Sequence, residues 1–189
     1  MFQSIAEAHE FLKQLGATDK LIRHVTLVGE AADLLIEKLQ SLALPFDDHF
    51  VRLGVAIHDA GKILHPDELI AKGNQHEPAG EQLLLSHGID TQLARCCLSH
   101  ARWQTMDCTI EEWFVALADT LWKGKRNDEL ETLVIDAVAE RLRKDRWDLF
   151  IELDSCFENI AAAGEERLAR SYSALCLSAP TGRRYYSPG

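Results

Sequence analysis

The sequence predicts an all-α protein. Apolar residues recur at helical spacings of three and four, helix caps and stop residues separate these runs, and strand patterns are nearly absent. The clearest run starts at Leu21 and continues through Val25, Val28 and Leu35 to Leu42, along one apolar face. At 189 residues, the chain is long enough for one domain with a hydrophobic core.

Caps and breaks place the helices in order. The first four are expected at residues 5–15, at residues 19–42 behind Thr18, at residues 48–65 behind Pro45 and Asp47, and from His76 to the stop at Gly88. The others are expected from Thr91 through His100, behind the capping box Thr109–Glu112, and at residues 129–144 and 147–171. A short turn-rich tail is expected at residues 176–189.

Charge and composition exclude several classes of protein. Thirty acidic and twenty basic residues give a net charge of −10, which disfavours binding to a long nucleic acid but leaves room for a small phosphorylated ligand. Neither a secretory signal nor a membrane-spanning stretch is evident, so a cytoplasmic protein is expected. The five cysteines lack CxxC spacing and are expected to be buried thiols in a reducing compartment.

The stretch Leu53–Ile63 has three polar residues with possible catalytic or metal-binding roles close together. It is an apolar run that ends in His58-Asp59, followed by Gly61-Lys62. If it is helical, His58 and Lys62 share one face, while Asp59 points about 100° away from His58. The pair can then reach two sides of a metal ion, although a capped or solvated pair is the ordinary alternative.

Other polar residues interrupt apolar helices in the same way. Asp119 lies in an apolar run, where a buried carboxylate needs either a metal ion or an ion pair with Lys123, four residues on. His24 lies at the edge of the long apolar face, where a histidine bonded to a carbonyl is the alternative to a ligand. His76 stands at a predicted helix start, from which its ring can turn toward a neighbouring helix.

These residues form the ordered set H…HD…H…H…D: His24, His58-Asp59, His76, His100 and Asp119. The set resembles the HD superfamily of metal-dependent phosphohydrolases, and His58-Asp59-Ala60-Gly61-Lys62 is close to the HD-x-G-K form of that family. The resemblance covers roughly residues 22–125 and implies an HD-domain helical bundle. Length and ligand order look most like small bacterial HD proteins that split diadenosine tetraphosphate, although the segments after His100 and Asp119 differ from theirs.

The resemblance implies a role for each of these residues. His24, His58, Asp59 and Asp119 would hold a first divalent ion, and His76 and His100 a second, with Asp59 bridging. Iron, manganese, zinc and nickel all suit such ligands. Asp59 and Lys62 would be catalytic, acting with a metal-activated hydroxide on a phosphorylated metabolite, with a nucleotide or dinucleotide as the expected substrate. The remaining candidates for substrate binding are Lys62, Arg102, Lys123, Lys125 and Arg126.

Two other functions fit the same ligand order. One is a di-iron oxygenase of the HD type, and the other is a metal-binding regulatory module with little turnover. The expected domain covers residues 1–175, with the metal-site core at about residues 20–126 and C-terminal helices at residues 128–172. The oligomeric state stays open.

Overall fold

The computed structural model describes residues 2–172, and no strand occurs among them. The predicted all-α class is therefore confirmed. The helices are α1 (Ile5–Gln14), α2 (Asp19–Ser41), α3 (Asp48–Ile57), α4 (His76–Ser86), α5 (Thr91–Ala94), α6 (Cys96–Arg102), α7 (Ile110–Leu121), α8 (Asp128–Leu142), α9 (Arg146–Ala162) and α10 (Gly164–Tyr172). Two short 3-10 segments, Ala60–Ile63 and Pro66–Leu69, join α3 to α4. The predicted tail and Cys176 lie outside the described residues. Within them, no helix has the length and apolar character needed to cross a membrane.

Two hydrophobic clusters hold the helices together. The larger one joins α2, α3, α7, α8 and α9 around the fully buried Leu35, Phe114 and Phe157. The smaller one joins α1 and α3 to α4, α5 and α6 around Leu12 and Leu84. Because α3 contributes side chains to both clusters, its C-terminal end is fixed at the centre of the molecule.

Local capping explains most helix starts. The Thr18 side chain accepts a hydrogen bond from the amide of Leu21 at the start of α2. Thr109 and Glu112 form the predicted capping box at the start of α7. At α5 the cap is Asp90, not the predicted Thr91, since its carboxylate accepts the first free amides of the helix.

The end of α3 differs from the prediction. The helix was expected to continue past His58, but it ends at Ile57, and Asp59 has left the helical conformation at φ −103° and ψ 18°. The cause is a close backbone approach: a Cβ on Gly61 would lie 1.8 Å from the carbonyl oxygen of His76. The chain must therefore turn here, and the expectation that His58 and Lys62 share one helical face is wrong.

The C-terminal region also differs, because the single helix expected at residues 147–171 is two helices. It breaks after Ala162, where Gly164 packs so closely on Gly124 that a Cβ on Gly164 would lie 2.1 Å from the amide nitrogen of Gly124. The break turns α10 back against α2, where Arg170 forms a two-pronged ion pair with Glu30.

The described cysteines match the expectation of free thiols. Cys96, Cys97 and Cys108 are buried, and Cys156 is half-buried. Burial raises the pKa of the Cys97 thiol well above its ordinary value. These thiols therefore act as small apolar side chains of the core.

Candidate metal centre

Five separate parts of the fold bring six side chains to one point. Helices α2, α4 and α6 contribute one histidine each. The end of α3 contributes a histidine, the residue after it contributes a carboxylate, and α7 contributes a second carboxylate. In chain order they are His24, His58, Asp59, His76, His100 and Asp119. The structure thus brings together all six side chains that the sequence predicts as metal ligands.

The carboxylate of Asp59 lies at the centre of this group, and its two oxygens face different histidines. Oδ2 lies 2.7 Å from Nε2 of His24 and 3.5 Å from Nε2 of His58. Oδ1 lies 3.2 Å from Nε2 of His76 and 3.9 Å from Nε2 of His100. Each oxygen of the Asp59 carboxylate therefore faces a different pair of histidines.

Asp119 extends the group on the side of His58. Its Oδ1 lies 3.7 Å from Nε2 of His58 and accepts a hydrogen bond from the indole of Trp122, while its Oδ2 lies 3.1 Å from Nζ of Lys123. Two overlapping sets have ligand atoms within 4.8 Å of one another: His24, His58 and Asp119, and His58, Asp59 and His100. Either set has the spacing to hold a metal ion.

In two of the histidines, His58 and His100, the ring nitrogen that faces away from the centre, Nδ1, is hydrogen-bonded to a backbone carbonyl. Nδ1 of His58 lies 2.8 Å from the carbonyl oxygen of Val55, and Nδ1 of His100 lies 3.0 Å from that of Cys96. Because a carbonyl can only accept, each Nδ1 carries a proton, and each ring is oriented with Nε2 toward the centre. Metal-binding histidines are commonly fixed in this way.

Polar atoms without partners support the fit to a cation. Nε2 of His58 and Oδ1 of Asp59 are buried and accept or donate no hydrogen bond within the described part of the chain. Nε2 of His24 is in the same state, because its short contact with Asp59 lacks hydrogen-bond geometry. Buried polar atoms are nearly always satisfied, and a bound cation would satisfy all three.

Electrostatics favours the metal-binding form of Asp59 and of His100. Burial alone would raise the pKa of Asp59, but the charge of His58 and the close contacts with His24 and His76 hold it well below its ordinary value. Burial, reinforced by the charge of His58, lowers the pKa of His100 to about 4. The centre therefore offers an ionised carboxylate and a neutral imidazole at neutral pH.

An open cleft of about 470 Å³ leads to this centre, and lysines line it. The chain has eight lysines, and five of them border this cleft: Lys20, Lys62, Lys72, Lys123 and Lys125. Lys62 lies 2.5 Å from Oδ2 of Asp59, and Lys123 pairs with Asp119. The other three form no ion pair with the carboxylates of residues 2–172. Apolar side chains form the rest of the wall, namely Leu69, Ile70, Trp122, Leu168 and Tyr172.

Two of the predicted substrate-binding residues lie elsewhere. Arg102 donates to Glu77 at 2.6 Å, and Arg126 pairs with both Glu131 and Asp154. Neither arginine borders the cleft. Each guanidinium group is already paired with carboxylates: Arg102 with Glu77, and Arg126 with the nearby Glu131 and the distant Asp154.

Sequence reasoning missed two cleft lysines and one carboxylate. Lys20 precedes His24 by four residues on α2, so their helical spacing could have revealed it. Lys72 and Glu68 lie in the irregular stretch between α3 and α4, where spacing carries no such information. Only the fold brings Glu68 to Nδ1 of His76, at 2.5 Å.

Comparison with known proteins agrees with this geometry. The family model described as HD domain matches residues 21–122, which contain all six candidate ligands. A similar curated protein is a tRNA (cytidine(56)-2'-O)-methyltransferase from Thermoplasma volcanium, 28% identical over 157 residues, covering 71% of this chain and 43% of the relative. The chain thus spans less than half the length of that relative. No solved structure matches the chain. The fold, the order of the candidate ligands and the family match agree, and the chain belongs to the HD domain family.

Proposed function

We propose that this protein hydrolyses a small phosphorylated metabolite, a nucleotide or dinucleotide, at a centre of two divalent ions. The division of the Asp59 oxygens between two histidine pairs is the observation that carries the proposal. A mononuclear site would leave one of these pairs, His76 and His100, facing a carboxylate oxygen with no ion between them.

The residues of the centre divide into two ligand sets that share one carboxylate. His24, His58 and Asp119, with Oδ2 of Asp59, would hold one ion. His76 and His100, with Oδ1 of Asp59, would hold the other. Bound divalent ions supply Lewis-acid polarisation of a phosphoryl oxygen and lower the pKa of a water molecule. Imidazole and carboxylate ligands accept iron, manganese, zinc or nickel.

Lys62 and Lys123 would bind the phosphoryl group beside the ions. Each contacts a carboxylate of the proposed ligand set, so ion binding would weaken its existing ion pair. The ammonium of Lys62 can then donate to a phosphoryl oxygen and stabilise the negative charge that develops during attack. In the hydrolysis, an oxygen–phosphorus bond to water forms, the bond to the leaving oxygen breaks, and that oxygen gains a proton.

The outer cleft would hold the rest of the substrate. Lys20, Lys72 and Lys125 add positive charge to a protein of net charge −10, which favours a ligand with more than one negative charge. Leu69, Trp122 and Ile70, which has 84% of its surface exposed, add apolar surface to the lining of the cleft. A flat apolar group such as a nucleobase fits this combination.

The methyltransferase activity in the name of the Thermoplasma volcanium relative is not proposed for this chain. That name describes a protein of which more than half lies outside the aligned region. The two rival functions of the HD ligand order, oxygenase and regulatory module, predict different measurements from those of a hydrolase.

The test combines metal analysis with product analysis. Protein purified without added chelator or metal should contain close to two divalent ions per chain. The same protein should split one or more members of a panel of nucleoside phosphates and dinucleoside polyphosphates, and a chelator should abolish this activity. Oxygen consumption without cleavage of a phosphorus–oxygen bond would identify an oxygenase. Absence of both metal and turnover after reconstitution would favour the regulatory module.

A further inference from the structure

The carboxylate of Glu68 is bound to the start of α4 at three points. Oε2 lies 2.5 Å from Nδ1 of His76 and accepts from the backbone amide of His76 at 3.2 Å. Oε1 accepts from the amide of Gln75, also at 3.2 Å. Since an ionised carboxylate only accepts hydrogen bonds, Nδ1 of His76 carries a proton in this contact, and the ring is oriented with Nε2 toward Asp59.

Gly73 provides the space that this carboxylate occupies. A Cβ on Gly73 would lie 2.2 Å from Cδ of Glu68 and 2.3 Å from its Oε1. The obstructing atoms belong to the end of a flexible side chain, so a larger residue at position 73 would displace the carboxylate without disturbing a helix.

Glu68 also belongs to the wall of the cleft. It lies within the 3-10 segment Pro66–Leu69, and the four residues after it, Leu69, Ile70, Ala71 and Lys72, border the same cleft. The Glu68 carboxylate therefore connects the cleft wall that would touch the substrate to His76, whose ring faces Asp59.

We propose that Glu68 is a positioning residue, which fixes the ring of His76 for the second metal ion and couples occupancy of that ion to the 69–72 wall. The inference rests on the proposed function, in which His76 binds the second ion. A partner on the outer nitrogen of a ligating histidine typically changes metal affinity about 10–100-fold. We expect an effect of this size on the second ion and little effect on the first.

Two different substitutions test the inference. Glu68→Gln keeps the size of the side chain but removes the charge that holds the Nδ1 proton. Gly73→Ala leaves Glu68 and His76 unchanged but moves the carboxylate away. Both should lower the affinity for the second Mn²⁺ ion about 10–100-fold in titration calorimetry, while the first binding event stays as in the unsubstituted protein.

Asp67→Asn is the matched control, because it removes the same charge from the exposed neighbouring residue. It should leave both binding events unchanged. If Glu68→Gln and Gly73→Ala bind two ions as tightly as Asp67→Asn does, the inference is wrong even though the two-ion centre stands.

A second readout needs no metal. In the metal-free protein, the nitrogen-15 shifts of His76 should report a protonated Nδ1, and Gly73→Ala should change the Nδ1 shift because the Glu68 carboxylate no longer holds that proton. Unchanged shifts in both Glu68→Gln and Gly73→Ala would overturn the inference. If the unsubstituted protein binds a single ion while these shifts change as expected, the two-ion function fails and the positioning role of Glu68 remains.

Discussion

The backbone of Gly61 lies against the carbonyl oxygen of His76, with only 1.8 Å between that oxygen and the place where a Cβ would stand. The same glycine approaches Gly80 one turn further along α4, where a Cβ on Gly61 would lie 2.6 Å from the amide nitrogen. This contact fixes the segment that carries Asp59 against the helix that carries His76. The two histidine pairs therefore have a defined separation before any ion binds.

Gly61→Ala should destabilise the protein strongly, because backbone atoms, which cannot rotate away, occupy the site of the new methyl group. We expect a loss of about 3 kcal/mol or more in the free energy of unfolding, measured by urea denaturation. Gly29→Ala is the matched control: Gly29 lies within α2 with no atom within 4 Å of the added Cβ. It should stabilise the protein by about 0.5–1 kcal/mol. Equal effects of the two substitutions would contradict the proposed contact.

Asp59→Ala should remove both ions, since the oxygens of Asp59 face both histidine pairs. His100→Ala should remove one ion and leave the set of His24, His58 and Asp119 occupied. Elemental analysis of the folded variants measures both outcomes. The exposed His87 provides a control, because His87→Ala should retain the metal content of the unsubstituted protein. Full metal content in a folded Asp59→Ala variant would show that the ions bind elsewhere.

The unpaired cleft lysines should contribute to binding of an anionic ligand more than to the chemical step. Lys20→Ala and Lys72→Ala should each weaken binding of inorganic tripolyphosphate about 2–5-fold, corresponding to about 0.5–1 kcal/mol for an exposed ion pair. Added salt should reduce the difference, because these charges are open to solvent. Isothermal titration measures the affinity, and Lys13→Ala, at a residue outside the cleft, is the control. Affinities that match the control would exclude an outer anion-binding site.

The stability of the metal-free protein should fall in acid partly through His100. Its pKa is about 4 in the folded state and 6.5 ordinarily, so between these pH values the unfolded chain binds a proton that the folded chain does not. Protonation therefore favours unfolding as the pH falls from 6.5 to 4. His100→Gln removes this contribution, so unfolding free energies should decline less steeply in the variant. Urea denaturation at several pH values measures both slopes, and parallel slopes would contradict the buried neutral state of His100.

Local signals in the sequence were sufficient for most of the helices and for the six side chains that the fold brings together. The long periodic run of α2 and the capping box of Thr109 and Glu112 depend on residues a few positions apart, so their interpretation needed no tertiary information. The order of histidines and aspartates identified the six side chains that the fold gathers. In contrast, the end of α3 depends on the contact between Gly61 and α4, which a helical pattern cannot reveal.

The substrate-side residues were harder to predict for the same reason. Arg102 and Arg126 were chosen because they follow His100 and Asp119 closely in the sequence. Arg102 pairs with Glu77, 25 residues away, and Arg126 pairs with Asp154, 28 residues away, as well as with Glu131, five residues away. The two long-range partners are set by helix packing, and proximity in the sequence does not determine them.

Because the chain breaks between α9 and α10, the candidate ligands and part of the cleft lining come from different parts of the sequence. All six candidate ligands precede residue 120, whereas Leu168 and Tyr172 of α10 form the far side of the cleft. The contact between Gly124 and Gly164 is the hinge point that directs α10 to this place. Substitutions on α10 can therefore reshape the entrance and change which molecule is accepted, while the reaction centre keeps every one of its ligands.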